Sequence, residues 1–346
     1  MPSYTNIPLS PAELSYLHTS LSSTPPIRPD GRTPTQFRPL VAETAILPTA
    51  NGSARVCFSD GTEAIVGVKA EVEKTRNGVM EQDVKMGEDE EDSEGKGGEA
   101  QWLQLGIDIP GLRDDDALPV FLGAMLREAL LADGALAGRL TINARFHWRL
   151  YVDILLLSPP LSYPLPLLSL TTHLALLSTR LPALVSQGDE DPLFNDDWQA
   201  SLPLYPSKAA QPPITLLVIS IGETILFDPS VPELAVADAV LAISVLQTPG
   251  SKSWSVVAIR TVDPPSRLTA AGVPSSLGSA GGAVATATNA EVLLARERDE
   301  LGSVWRPPRG GVGRKVIARM VKMVVESGGV ADEVMGGLKG VEIGMS

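Results

Sequence analysis

The segment from His147 to Pro182 constrains the fold most, because it contains a long uncharged stretch with a cluster of prolines inside it. Residues 148–157 are rich in aromatic and branched side chains, which predicts a strand that is buried on both faces. The four prolines between residues 159 and 166 cannot continue a central strand, because proline lacks the backbone donor. Residues 167–179 are typical of an apolar helix, which Arg180 and Pro182 end. The segment therefore predicts a strand, a proline loop and a buried helix.

The same segment has to be tested as a membrane span, because no charged residue lies between Asp153 and Arg180. Its length alone permits a span. The four prolines and His173 disfavour one, and no second long apolar run follows. The sequence therefore predicts a core element and no membrane association.

The composition indicates a globular protein of one large or two moderate domains. The chain has 346 residues, of which 44% are hydrophobic. Its only cysteine, Cys57, excludes an internal disulfide and a thiolate metal cluster, and we expect a packed core thiol. The first residues do not form a signal peptide, which favours a reducing, intracellular compartment.

The net charge of -13 disfavours nucleic acid at first sight, but the charge is unevenly distributed. Residues 73–100 contain ten acidic and four basic side chains, and this insertion is too polar to pack, so we expect disorder. Residues 296–322 contain eight basic and three acidic side chains. A local basic surface is therefore compatible with the overall acidity.

Local patterns predict further helices and strands on both sides of this segment. Ser10-Pro11-Ala12-Glu13 has the pattern of a capping box, which predicts a helix start. Asp60-Gly61 predicts a tight hairpin. A segment rich in Gly, Ala and Ser at residues 264–290 predicts a flexible insertion. Strands are expected at 40–47, 53–59, 62–72, 102–109, 213–221, 224–227, 239–246 and 254–261, and helices at 118–131, 291–300 and 314–326.

Three groups of side chains are candidates for chemistry or binding. Asp228, followed by Asp238, could serve acid–base or metal-assisted chemistry, although structural turn residues are the favoured interpretation. Lys69 and Glu71 share one strand face, where a solvated pair is favoured over a catalytic one. The basic loop at 305–311 carries Arg306 and Arg309 beside a tryptophan, which suits single-stranded RNA as well as a disordered segment.

Other signatures of chemistry are missing from the sequence. The acidic cluster at 188–197 lacks the spacing of a calcium loop, so a linker is favoured. The three histidines do not have zinc-binding spacing, and no nucleophile elbow, phosphate loop or dinucleotide fingerprint occurs. We therefore predict no metal site, no cofactor and no small-molecule substrate.

Several of these motifs together resemble the ribonuclease PH family, and within it the non-catalytic ring subunits of the RNA exosome. They are Arg28-Pro29-Asp30-Gly31-Arg32, Gly67-Val68-Lys69-Ala70-Glu71, and the strand and helix that end in Thr179-Arg180-Leu181-Pro182. In active members a Gly-Gly-Thr-Arg loop follows this strand and holds inorganic phosphate. Pro159-Pro160-Leu161-Ser162-Tyr163 stands there in this sequence, without a glycine or an arginine.

The resemblance implies an α+β, ribonuclease PH-like fold of the ribosomal protein S5 domain 2-like type, with two sheet-and-helix halves. We expect an N-terminal helix and arm at 1–27, a first half at 28–185 that contains the insertion at 73–100, and a linker at 186–212. A second half then spans 213–346 and contains a flexible, basic insertion at 264–311.

The resemblance also implies a function and partners. The expected role is that of a non-catalytic ring subunit that supports 3′-to-5′ RNA processing, with ring subunits, cap subunits and RNA as partners, in the nucleus, nucleolus and cytoplasm. Arg127 matches a helix position that faces the RNA path, although a plain charge on an exposed helix surface is the favoured interpretation. Asp228 and Asp238 would be a vestigial acidic site. The alternatives are an active phosphate-dependent 3′-to-5′ exoribonuclease and a scaffold unrelated to RNA.

Overall fold

The computed structural model describes residues 9–75, 100–186, 188, 190–206, 211–247, 253–262, 312–338 and 341. Within these ranges the chain forms two main β-sheets with helices against and between them, which confirms the predicted α+β class. The predicted helix at 291–300 and the basic loop at 305–311 lie outside the described residues. In the part of the chain that is described, no helix is long and apolar enough to cross a bilayer.

The first sheet has the strand order β1-β2-β3-β5-β4. Strand β4 runs parallel to β5, and the other pairs are antiparallel. The Asp60-Gly61 hairpin joins β2 to β3 as predicted, with Gly61 at φ +85°. The strands are β1 Leu40–Thr44, β2 Gly52–Phe58, β3 Glu63–Lys74, β4 Leu103–Asp108 and β5 Phe146–Leu156.

Only one face of the first sheet is covered by described helices, so two expectations about burial are wrong. Strand β5 alternates in its second half: Ile154 is buried, whereas its neighbour Leu155 is 41% exposed. The strand is therefore not buried on both faces. Cys57 lies on the outer face of β2 and is half-buried, so it is not a core thiol. Periodicity alone does not reveal whether a second layer covers a sheet.

The apolar helix forms as predicted and lies between the two sheets. Helix α4, Leu165–Ser178, is buried along nearly its whole length and packs against β2 and β3 on one side and β8 on the other. His173 within it is buried, and its Nδ1 lies 2.8 Å from the carbonyl oxygen of Pro212. Burial lowers the pKa of His173 to about 4, so the imidazole is neutral at pH 7.

The second sheet has the strand order β11-β10-β8-β9, and all its pairs are antiparallel. All eight residues of β8 are buried, and the strand contacts α4 as well as the helices Pro11–Ser22 and Ala117–Leu131. The strands are β8 Ile214–Ile221, β9 Thr224–Phe227, β10 Ala239–Gln247 and β11 Trp254–Val262. Helix α6, Arg314–Val325, packs against β11 and against α7, Val330–Leu338, which the sequence patterns did not predict.

Four further helices, two short 3-10 turns and one small sheet complete the described chain. The capping box of α1 forms as predicted, with Ser10 Oγ accepting from the Glu13 amide and Glu13 Oε2 accepting from the Ser10 amide. Strands β6, Arg180–Leu181, and β7, Leu202–Pro203, pair within and beside the predicted linker. The helices are α1 Pro11–Ser22, α2 Ala117–Leu131, α3 Ala135–Leu140 and α5 Val231–Ala235.

Helix α2 packs against β4, as its apolar spacing predicts, but with one difference. Leu122, Met125, Ala129 and Leu130 are buried, whereas Phe121, which follows the same apolar spacing, is 39% exposed. The exposed side chains of Val120 and Phe121 lie at the N-terminal end of the helix. This end therefore presents apolar surface to the outside.

Candidate functional site

The N-terminal turn inserts Arg28 into the second half of the chain. The Arg28 side chain is fully buried, and its Nε and Nη2 donate to both carboxylate oxygens of Glu233 at 2.7 and 2.8 Å. Nη1 and Nη2 also donate to the carbonyl oxygens of Thr33, Phe227 and Asp228 at 3.1–3.2 Å. Glu233 is the N3 residue of the capping box that starts α5, so its position is fixed locally. This ion pair therefore connects the N-terminal turn to the start of α5.

Asp228 is buried at the end of β9 and accepts hydrogen bonds from two further arginines. Its Oδ2 accepts from Arg32 Nη1 at 2.8 Å and from the backbone and Nε of Arg38 at 2.9 Å. Its Oδ1 accepts from Arg38 Nη2 at 2.6 Å. Its backbone is left-handed, with φ +47°, which aspartate tolerates better than most residues. The carboxylate is thus saturated by this chain's own cations.

Arg38 connects Asp228 to the proline loop. Its Nη1 donates to Ser162 Oγ at 2.8 Å and also to Asp60, and its guanidinium lies 4.6 Å above the Phe58 ring. Burial alone would lower the pKa of Arg38, but the hydrogen bonds and charges of Asp228 and Asp60 outweigh it and raise that pKa. Ser162 is therefore held by an arginine that two carboxylates already neutralise.

The charges of this cluster leave little for an outside anion. Three arginines at 28, 32 and 38 face four carboxylates, of Asp30, Asp60, Asp228 and Glu233, so the formal balance is -1. Burial would raise the pKa of Asp60, but the hydrogen bonds from Thr62 and the charge of Arg38 lower it, so Asp60 stays ionised at neutral pH. An oxyanion that entered here would have to displace Asp228 from its arginines.

Asp238, the second predicted acidic residue, lies apart from Asp228. Its Oδ2 accepts from the Gly222 amide at 2.6 Å and so supports the turn between β8 and β9. The Asp238 amide donates to the Ser220 carbonyl on the β10 side of β8, whereas the Asp228 amide donates to the Leu217 carbonyl on the β9 side. Strand geometry then separates the two residues by on the order of 10 Å or more. The structure does not bring them together as a carboxylate pair.

Arg127 lies half-buried in an open groove between α2 and the outer edge of β4, which we name the α2–β4 groove. The groove has a volume of about 980 Å³. Four carboxylates line it together with this single arginine, and one of them, Glu128, pairs with Arg260 at 2.7 Å. The carboxylates are those of Asp108, Asp114, Glu128 and Asp153. The groove is therefore acidic despite Arg127, whose contact with RNA stays a prediction.

The remaining predicted candidates are placed as follows. Lys69 and Glu71 form an exposed ion pair at 2.7 Å on the outer sheet face, as the favoured interpretation predicted. Arg306 and Arg309 lie outside the described residues. Within the described ranges, no group of three or more potential ligands is arranged to hold a metal ion.

Sequence reasoning missed Arg38, Asp60 and the pairing of Arg28 with Glu233. Arg38 and Asp228 are 190 residues apart, and Arg28 and Glu233 are 205 apart, so no local pattern connects them. A usable signal was the second capping box, Ser230 to Glu233, which marks Glu233 as part of a helix start.

Comparison with known proteins shows consistent similarity to exosome components. The chain is 36% identical to the exosome complex component RRP42 of Saccharomyces cerevisiae over 242 residues, which cover 68% of this chain and 81% of that protein. It is 33% identical to the exosome complex component rrp42 of Schizosaccharomyces pombe, over 72% of this chain and 82% of that protein. No protein-family model matches the chain.

Solved structures with a related chain trace include two archaeal assemblies. A chain of an archaeal exosome core covers 72% of this chain and 85% of its own length, with 22% identity and a TM-score of 0.49. A chain of the Archaeoglobus fulgidus exosome with RNA bound to the active site covers 84% of this chain and 97% of its own length, with 19% identity and a TM-score of 0.47.

Proposed function

This chain belongs to the Rrp42 family of exosome complex components, and from that premise we propose that it is a non-catalytic subunit of the exosome ring. In this role it supports 3′-to-5′ RNA processing and degradation by pairing with other ring subunits and helping to form the RNA channel. Its partners are ribonuclease PH-like ring subunits, cap subunits and RNA. Its expected locations are the nucleus, the nucleolus and the cytoplasm.

The pairing of Arg38 with Asp228 beneath the proline loop carries the non-catalytic part of this proposal. Phosphorolysis requires donors that are free to hold the attacking phosphate. The loop offers Ser162, whose hydroxyl is bonded to Arg38, and Arg38 is bonded to Asp228 and Asp60. The arginine that contacts the loop is thus engaged by internal carboxylates.

The alternative, an active phosphate-dependent exoribonuclease, has less support. It needs ionised carboxylates near a phosphate site, for acid–base or metal-assisted chemistry. Asp228 is saturated by arginines, and Asp238 supports a turn on the other side of β8. Their separation favours structural roles for both.

The test is the release of nucleoside diphosphates from a 3′-labelled RNA by the purified chain, with phosphate and magnesium present. We expect no release above the buffer control. A release that Asp228→Asn abolishes, and that the exposed control Asp196→Asn leaves intact, would establish the enzyme instead. Asp196 suits this control because it is exposed and lies outside both the arginine cluster and the α2–β4 groove.

A further inference from the structure

Strand β4 forms an open edge of the first sheet beside the α2–β4 groove. It pairs with β5 on one side, and in the described part of the chain no strand pairs with its other side. The strand contains neither proline nor lysine, the residues that usually protect a sheet edge. Among the described residues, its outward N–H and C=O groups are therefore unpaired, which is the arrangement that strand addition uses.

The groove beside this edge is shaped for close approach of a backbone. Gly123 on α2 faces β4, and a Cβ added to it would meet only the ends of Leu105 and Ile107 at 3.6 and 3.9 Å. Gly106 on β4 leaves the Asp153 carboxylate uncovered, since an added Cβ would lie 3.3 Å from Asp153 Oδ1. Gly123 thus lets α2 pack closely on β4, and Gly106 leaves the outer face of the edge strand without a side chain.

The side chains around the groove define the chemistry of its occupant. Val120 on α2 is 56% exposed, so an apolar contact is available on the α2 side of β4, and Leu155 is partly exposed on the outer face of β5. Asp108, Asp114 and Asp153 are exposed and have no ion-pair partner among the described residues. The groove therefore complements a segment that is both apolar and basic.

We propose that the α2–β4 groove binds an extended, basic segment of a partner protein, which adds to β4 as a sixth strand. Alternate residues of the segment are apolar and face α2, and the residues between them are Lys or Arg and face Asp108 and Asp153. Five or six residues suffice, because β4 spans six residues, or about 20 Å. The inference goes beyond the proposed ring role, since it concerns one surface and holds whichever protein supplies the segment.

RNA is the competing occupant, because Arg127 lines the same groove. Glu128 is paired with Arg260, so a phosphate there would face the three remaining carboxylates, and like charges disfavour such an approach. A cationic side chain is attracted by these same three groups. The charge of the groove thus favours the polypeptide.

The test uses the full-length chain and a labelled nine-residue peptide of alternating Lys and Val, in a fluorescence anisotropy titration at physiological salt. Two matched peptides carry Glu in place of Lys, or methyl groups on alternate backbone nitrogens. We expect the Lys/Val peptide to bind and both matched peptides to fail, because strand addition needs backbone donors as well as positive charge. Equal binding of the methylated peptide would overturn strand addition.

Variants then locate the binding. The double variant Asp108→Asn/Asp153→Asn should weaken binding about tenfold, and Gly123→Leu should abolish it by filling the groove. Glu43→Gln, on the opposite edge strand β1, is the matched control and should leave the affinity unchanged. Unchanged affinity in Gly123→Leu would refute the site. An RNA oligonucleotide that binds the wild type and is blocked by Gly123→Leu would assign the groove to RNA and also overturn the proposal.

Discussion

Removal of the Glu233 carboxylate is expected to destabilise the chain more than any surface substitution. Glu233 and Arg28 are both fully buried, and Arg28 donates two of its five hydrogen bonds to this carboxylate. Glu233→Ala leaves the buried guanidinium with Asp30, 3.7 Å from its Nε, as its remaining counter-charge, and burial prevents water from replacing the lost partner. Breaking such a pair costs about 3–5 kcal/mol, a large part of the 5–15 kcal/mol or so that holds a typical domain folded.

Urea unfolding followed by circular dichroism measures this cost on the purified chain. Glu71→Ala, which breaks the exposed pair with Lys69, is the control and should leave the unfolding midpoint almost unchanged. The double variant Arg28→Met/Glu233→Met should recover part of the loss, because it removes both charges and keeps the volume but leaves the carbonyl acceptors of Arg28 without a donor. A decrease in the free energy of unfolding of less than about 1 kcal/mol in Glu233→Ala would refute the reasoning, because it would mean that water reaches the ion pair in the folded chain.

Three further predictions concern the core and the insertion. The folded-state pKa of His173, about 4, lies below its unfolded value of 6.5, so the neutral imidazole stabilises the fold above pH 6.5 and this contribution is lost as the pH falls toward 4. The loss by pH 4 is about 3 kcal/mol. Between pH 7 and pH 4 the free energy of unfolding of the wild type should therefore fall by about this amount relative to that of His173→Leu, and a difference that does not change with pH would contradict the prediction. Gly52→Val should lower the free energy of unfolding by about 1–3 kcal/mol or more, because a Cβ there overlaps Thr179 and the Ala175 carbonyl oxygen, whereas Gly138→Ala, with open space around it, should not. Replacement of residues 76–99 by a short Gly-Ser link should leave the thermal midpoint nearly unchanged, and a drop on the order of 10 °C would show that the insertion packs.

The parts of the fold that depend on neighbouring residues could be predicted from the sequence. The capping box of α1 and the Asp60-Gly61 hairpin rest on contacts a few residues apart, and both form. Strand β5 and helix α4 also form close to their predicted positions, because composition and proline placement determine them locally. The predicted insertion boundary at residue 73 is slightly early, since β3 continues to Lys74.

The parts of the fold and of the site that depend on residues far apart in the chain could not be predicted from the sequence. The outer face of β5 and the environment of Cys57 depend on which side of the sheet the helices cover, and strand periodicity does not contain that information. Asp228 could be identified as a candidate, but its arginine partners lie nearly 200 residues away. The acidic character of the α2–β4 groove likewise combines residues from β4, β5 and α2.

Native mass spectrometry of the complex that co-purifies with the tagged chain tests the central claim most directly. A ring subunit should be recovered at one copy per complex, together with about eight other proteins, several of them of similar fold. Recovery of the chain alone, or with proteins unrelated to the exosome, would contradict the ring-subunit account.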